Sequence, residues 1–240
     1  MSRVVPASSL TIFFPAHNEA ATIATAIREA VEAAQRLTAE YEILVIDDAS
    51  TDATARIVRD LSQTYPRLRL FQHATNLGYG AALRSGFTQA NSELIFYTDA
   101  DLPVKLKQVG RLLRRLTPEL DAVIGYRINR YDTLLRWTYS HVYNFLVRSL
   151  LGVRVHDVNF SCKLIRRRAI QRFTLTARTV FIDGELLAEL RRCGCRLTEV
   201  PVRYYPRPNR FSHFNSPWYT LRTLRELLGY WWRTLHLTRR

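Results

Sequence analysis

The chain has no run approaching the ~18 uninterrupted apolar residues of a membrane-spanning helix, although 47% of its 240 residues are apolar. A bilayer-crossing segment is therefore excluded. Cysteine is scarce. Cys162, Cys193 and Cys195 are odd in number and lack CxxC spacing, so they read as free thiols used for packing in a reducing compartment. The opening residues, Met1 to Ala7, lack a basic region followed by an apolar run and do not read as a secretory signal. The expected location is the cytoplasm. Internal repeats, low-complexity tracts and linkers are also missing, which points to one domain with a C-terminal appendage. The apolar content is too high for a disordered chain, and the length is enough to bury a proper core.

Lysine is rare as well: Lys105, Lys107 and Lys163 are the only three among 35 basic residues, and the rest are arginine. The formal charge of +14 is unevenly placed. Residues 1–101 hold 8 basic and 12 acidic groups, whereas residues 102–240 hold 27 and 9. Guanidinium binds phosphate oxygens bidentately, so the second half suits a phosphate-bearing partner. Nucleic acid, an anionic membrane surface and a phosphorylated substrate share that chemistry. The bland alternative is a set of solvated arginine faces.

The first 130 residues alternate short apolar runs with helical patterns. The expected strands are Leu10–Phe14, Glu42–Ile46, Leu68–Gln72, Leu94–Thr98 and Asp121–Gly125, and the expected helices are Ala20–Leu37, Ala53–Tyr65 and Gly80–Ala90. Such alternation predicts a parallel, helix-covered sheet whose ligands bind beyond the carboxyl ends of the strands. Pro15-Ala16-His17-Asn18-Glu19, Asp47-Asp48 and Asp99-Ala100-Asp101 each fall just after a strand, so their polar groups converge on one edge. The second half predicts helices over Thr133–Leu150, Gly184–Cys193 and Trp218–Leu235. Strands are expected at Cys162–Ile165 and Arg196–Tyr205, with a basic loop over Pro206–Pro217.

Asp99 and Asp101, two residues apart at a turn, can reach one cation. Few carboxylates with oxygen-only ligation suit Mg²⁺ or Mn²⁺ shared with a substrate diphosphate. Otherwise one Asp caps a helix starting near Val104 and the other is solvated. The run Asp47-Asp48-Ala49-Ser50-Thr51-Asp52 has the same capping alternative, though two adjacent acids ending a hydrophobic strand are harder to dismiss.

The segments FFPAHNEAATI, EILVIDDASTDAT, NLGYGAALRSGF and LIFYTDADLP, in this order, resemble the family-two inverting glycosyltransferases of GT-A fold. Downstream, DAVIGYR, DVNFSCKLIRRRAI, FIDGELLAEL and EVPVRYYPRPNRFSHF are similar to the dolichyl- or polyprenyl-phosphate mannose and glucose synthases. The resemblance implies an α/β, Rossmann-like, mostly parallel central sheet flanked by helices, with a C-terminal amphipathic helix. It further implies transfer of a hexose from GDP-mannose or UDP-glucose to a polyprenyl phosphate. Residues 1–130 would bind the nucleotide sugar and 131–215 the acceptor. Residue by residue, Pro15, Ala16, Asn18 and Glu19 would line the base and ribose, and Asp48, before Asp47, would hold one of them. Asp99 would lie at the ribose and metal, with Asp101 the principal metal ligand. Arg84, in the NLGYGAALRSGF helix, could approach the nucleotide, but an exposed helix face is its expected place.

Inversion needs in-line attack by the acceptor oxygen, and a hydroxyl acceptor would need a general base. Asp183, ahead of the GELLAEL helix, matches the family's usual base, and Asp157 is the second candidate. Either could instead orient the sugar, cap a helix or pair with an arginine. A lipid phosphate is already ionised and needs no base. Arg127 and Arg207 match positions that receive the acceptor phosphate, with Arg130, Arg210 and His213 close by in sequence. Arg210 stands where the family usually has Gly, and Gly alone reaches positive φ at low cost.

Over the last helix, Leu221, Leu224, Leu228, Trp231 and Leu235 recur at helical spacing among arginines. That suits residues 216–240 lying peripherally on the cytoplasmic face of an anionic membrane, or docking on the protein's own core. A hydroxyl acceptor on a glycan, lipid or metabolite is the alternative reading. Nucleic-acid binding is set aside. No recognisable module is present, and the acidic edge would repel phosphates without a metal.

Overall fold

The computed structural model describes residues 9–128, 134–205 and 217–237. Seven strands form one sheet: β1 (Leu10–Ala16), β2 (Tyr41–Asp47), β3 (Leu68–Gln72), β4 (Leu94–Tyr97), β5 (Ala122–Arg127), β6 (Lys163–Arg166) and β7 (Leu197–Val202). Their spatial order is β3-β2-β1-β4-β6-β5-β7. Neighbouring pairs are parallel except at β6, which runs antiparallel to both β4 and β5. The β1–β2 register runs from Leu10 opposite Tyr41 to Ala16 opposite Asp47, so the two strands finish level and their loops leave side by side.

Helices cover both faces, as continuous apolar strands require. α1 (Ile23–Leu37), α2 (Thr54–Thr64) and α4 (Val109–Arg115) pack on one face with Leu10, Ile12 and Phe14. α3 (Tyr79–Gln89), α5 (Leu134–Leu151), α7 (Phe181–Arg192) and α8 (Pro217–Leu237) pack on the other, with the short α6 (Arg167–Ile170). Phe13, pointing to this second face, stacks on Tyr97 at 5.4 Å and meets the Phe87 edge at 5.3 Å. α3 lies so close over Phe13 that a Cβ at Gly86 would fall 2.2 Å from the ring, hence glycine there.

Three expectations are corrected. No helix starts near Val104; a 3₁₀ turn at Leu106–Gln108 leads into α4, whose N-cap is Gln108, so neither Asp99 nor Asp101 caps it. α7 begins at Phe181, not Gly184, which puts Asp183 inside its first turn. α8 packs on the core through Thr223, Leu227 and Tyr230, leaving Trp218, Leu221, Leu228 and Trp232 exposed. The docked face is thus rotated from the Leu221–Leu228 stripe read in the sequence.

Candidate active site

The loops after β1, β2 and β4 each contain a non-glycine residue at positive φ: Asn18 (57°), Ala49 (55°) and Leu102 (55°). For Ala and Leu this conformation is costly, and such strain persists where the surroundings impose it, typically at functional edges. The surroundings here are specific. The Asn18 side-chain oxygen accepts from the Thr51 amide at 2.9 Å, and the Asn18 amide donates to Ser50 Oγ at 2.9 Å. Asp52 accepts from the Thr54 hydroxyl at 2.5 Å, the Thr54 amide at 2.9 Å and the Ala20 amide at 3.0 Å, and these bonds hold its carboxyl below the usual range. The exposed Asn18 therefore sits on a cross-braced rim. Pro15, Ala16 and Glu19 are buried just inside it, with Glu19 accepting from the Thr22 hydroxyl at 3.1 Å.

Asp47 and Asp48 end β2 and point inward. Asp47 accepts from Gln72 at 2.9 Å. Asp48 Oδ1 accepts from the Leu77 amide at 2.8 Å and from His73 Nδ1 at 2.7 Å, and Oδ2 accepts from the Gly78 amide at 2.8 Å. A carboxylate only accepts, so His73 donates from Nδ1, and its Nε2 lies 2.8 Å from the Ser85 hydroxyl. Both Asp48 oxygens are thus engaged by internal donors, and they shape the turn into α3.

Beyond β4, Asp99 accepts from the Tyr79 hydroxyl at 3.2 Å and the Ser161 hydroxyl at 2.8 Å. Burial, then the neighbouring Asp101 charge, raise the Asp99 carboxyl to about 7. Asp183 adds to that rise, so three carboxylates share one neighbourhood. Asp99 and Asp101 offer the oxygen-only donor set a hard divalent cation takes, and their surplus negative charge is what such an ion would offset. Among the described residues no group of three or more His, Cys, Asp or Glu forms a complete cage.

Asp183 is sealed in. Its Oδ1 accepts from Lys163 Nζ at 2.5 Å and from the Tyr97 hydroxyl at 2.5 Å, and Lys163 also donates to the Phe160 carbonyl at 2.8 Å. Lys163 and Asp183 side chains are 0% and 1% exposed. The antiparallel pairing of β4 with β6 creates this contact, because it sets Tyr97 directly beside Lys163. Burial and the Asp183 charge push the Tyr97 hydroxyl well above its ordinary range, and the same two causes act on Tyr143. Lys163, Tyr97, Tyr79 and Ser161 are site residues that the sequence reading missed. The available signal was Lys163, a lysine inside an apolar strand of an arginine-rich chain.

Asp157 and Arg127, read as separate candidates, form one bidentate pair: Nε to Oδ2 at 2.6 Å and Nη2 to Oδ1 at 3.1 Å. The Arg127 guanidinium also lies over the rings of Phe160 and Tyr204, at 5.5 and 5.3 Å. Arg207, Arg210, His213 and Arg130 lie outside the described residues. Arg84, expected on an exposed helix face, is instead half-buried, because it donates to the Ala177 carbonyl 2.5 Å away and so pins the segment ahead of α7.

That segment is held from several sides. Glu185 accepts from the Thr176 and Ala177 amides at 2.9 and 2.8 Å. Glu226 of α8 accepts from the Thr179 amide at 3.0 Å, and the Tyr219 hydroxyl accepts from the Val180 amide at 3.1 Å. α8 thereby helps to fix the N-terminus of the helix that carries Asp183.

Comparisons with known proteins bear on the family and the fold. The profile of glycosyl transferase family 2 matches residues 11–174. A Salmonella choleraesuis protein named undecaprenyl-phosphate 4-deoxy-4-formamido-L-arabinose transferase is 30% identical over 210 residues, covering 86% of this chain and 63% of that protein. The protein of the same name from Photorhabdus laumondii is 29% identical over 164 residues, covering 68% and 50%. The chain thus spans between half and two thirds of the length of these curated relatives. Glucosyl-3-phosphoglycerate synthase from Mycobacterium tuberculosis, solved with uridine diphosphate, shares the fold with a TM-score of 0.70 at 18% identity, over 92% of this chain and 79% of that one. The same enzyme with Mn²⁺ and UDP-glucose gives a TM-score of 0.69 at 19% identity, over 92% and 79%. At these identities the likeness is one of fold, the GT-A arrangement that the sequence motifs implied.

Proposed function

The chain belongs to glycosyl transferase family 2, and on that premise we propose that it moves a sugar from a nucleotide sugar to a polyprenyl phosphate with inversion at the anomeric carbon. The observation that carries the reading is the meeting of Asp99, Asp101 and Asp183 beyond the strand ends, with Lys163 as the buried counter-charge. The acceptor class is supported by the names of the relatives. Those names specify a modified arabinose, so the hexose of the sequence expectation widens to a sugar on GDP or UDP.

In this reading residues 1–130 hold the donor and 131–215 the acceptor, while 216–240 meets the membrane peripherally on its cytoplasmic face. Asn18, on the braced rim with Pro15, Ala16 and Glu19, lines the nucleotide pocket, and Asp48 orders the turn beneath it. Asp99 and Asp101 would hold Mg²⁺ or Mn²⁺, which when bound offsets charge on the leaving diphosphate. Asp183, buried and held by Lys163 and Tyr97, orders the site from within as an orienting group. An ionised phosphate needs no proton removed, so catalysis rests on positioning and charge. The Arg127–Asp157 pair stiffens the acceptor side, and Arg207 and His213 remain acceptor-phosphate candidates.

The test uses purified protein with Mg²⁺ or Mn²⁺ and labelled UDP- and GDP-sugars, with and without polyprenyl phosphate, followed by organic extraction. Metal-dependent label in the lipid phase, abolished in Asp101→Asn, is the expected result. Nucleotide binding without lipid labelling would transfer the reading to a hydroxyl acceptor, and no nucleotide binding would overturn it.

A further inference from the structure

A cleft of about 1060 Å³ opens between α8 and the 176–181 segment. Arg178, Arg222, Arg225 and Arg233 line it, and none of the four guanidiniums makes a hydrogen bond or ion pair among the described residues. The one carboxylate in its wall, Glu226, is already engaged by the Thr179 amide at 3.0 Å and the Thr179 hydroxyl at 2.7 Å. The rim is apolar: Trp218 is 77% exposed and Leu221 47%. Positions 218, 221, 225, 228 and 232 recur at steps of three and four, so Leu228 and Trp232, also exposed, continue the stripe along the helix.

Guanidiniums without a partner among the described residues suit phosphate oxygens, and a water-facing tryptophan and leucine on an amphipathic helix suit the headgroup–acyl boundary. One ligand class satisfies both halves, an anionic phosphate with hydrocarbon attached. We propose that this cleft is a headgroup site for an anionic phospholipid of the bilayer. The cleft's lining contains none of the residues individually assigned above to donor, metal or acceptor, although Phe181 lies two residues before Asp183. The inference rests on the reading that the acceptor is membrane-borne: phospholipid in the cleft would hold α8 flat on the membrane that delivers the acceptor.

The test is co-sedimentation of the full chain, without nucleotide sugar or acceptor, with phosphatidylcholine vesicles and with phosphatidylcholine–phosphatidylglycerol vesicles. Binding is expected on the second only. Arg222→Gln with Arg225→Gln should weaken it about 25-fold, taking roughly fivefold per arginine near an anionic surface. Arg114→Gln with Arg115→Gln removes the same charge from α4, on the opposite face of the sheet, and should change it less than threefold. These arginines are exposed, and a melting curve identical to wild type checks each fold. Equal losses from the two pairs would reduce the effect to diffuse charge and overturn the proposal, as would equal binding to both vesicles. A third arm dopes phosphatidylcholine with polyprenyl phosphate alone. Binding only there, with the cleft pair raising KM for that lipid in detergent, would hand the cleft to the acceptor and overturn the proposal. Sugar transfer in detergent micelles reports on the enzymatic reading independently of vesicle binding, so either can fail alone.

Discussion

Lys163 and Asp183 exclude solvent almost entirely, so each is tolerable only because of the other. Breaking a buried pair from one side costs about 3–5 kcal/mol, since the remaining charge stays buried without compensation. Lys163→Met should therefore lower stability to urea by that order, and Asp183→Asn likewise. The double variant should lose clearly less than the sum, and strict additivity would mean the two charges are not coupled. Cys162 gives a second residue-level expectation. Burial pushes its thiol up to about 12, so the folded state keeps it protonated, whereas the unfolded chain ionises near the ordinary value of 9.0. Stability from this group is intact below pH 9 and falls as pH rises from there towards 12. In native protein at pH 8.5, iodoacetamide should modify Cys193 and Cys195 while sparing Cys162 until denaturant is added; peptide mass spectrometry reads the difference. At this scale the acids were legible in the sequence because strand-end carboxylates stand out in a row of apolar residues. Their partners were not. Arg127 with Asp157 and Lys163 with Asp183 are 30 and 20 residues apart, and only the sheet pairing brings them together.

Strand and helix positions were readable where periodicity or apolar runs decide them, as in β1 to β4 and α1 to α3. The direction of β6 was not, since four buried residues fit a parallel or an antiparallel neighbour equally well. The rotation of α8 was misread for a related reason. Thr223 is buried through its bond to the Tyr219 carbonyl at 2.9 Å, and a search for apolar stripes passes over it. Close approach between elements leaves its own mark in glycine. At Gly80, on α3, a Cβ would lie 2.3 Å from the Ala177 carbonyl oxygen, and the Gly80 amide donates to the Arg178 carbonyl at 3.1 Å. The obstacle is backbone and cannot rotate aside. Gly80→Ala should cost about 1–3 kcal/mol as overpacking and reduce turnover by displacing the segment in front of Asp183. A variant with wild-type melting temperature and kcat would show that α3 does not brace that segment.

The two halves of the chain carry opposite charge, and the fold uses the difference. The acidic first half supplies the strand-end carboxylates, whereas the arginine-rich second half contributes β5 to β7 and the helices around Asp183. α8, expected as an appendage, is bound into this arrangement. Leu227 is 0% exposed and Tyr230 5%, the Tyr230 hydroxyl donates to Glu189 at 2.6 Å, and Glu226 holds the turn into α7. A chain ending at residue 215 would uncover the α7 surface beneath Leu227 and Tyr230 and release that turn. At about 1.5–3 kcal/mol for each large side chain whose burial is lost, the deficit is about 3–6 kcal/mol. In a domain of this size that amounts to a melting temperature lower by roughly 10 °C. Calorimetry of the truncated and full chains in detergent-free buffer measures it, and transfer to detergent-solubilised polyprenyl phosphate, where no bilayer is needed, should fall with it. An unchanged melting temperature with activity retained would make α8 a dispensable membrane anchor. The expected joint loss makes it a wall of the catalytic domain, with its outward stripe free to serve the membrane because its inward face is already occupied.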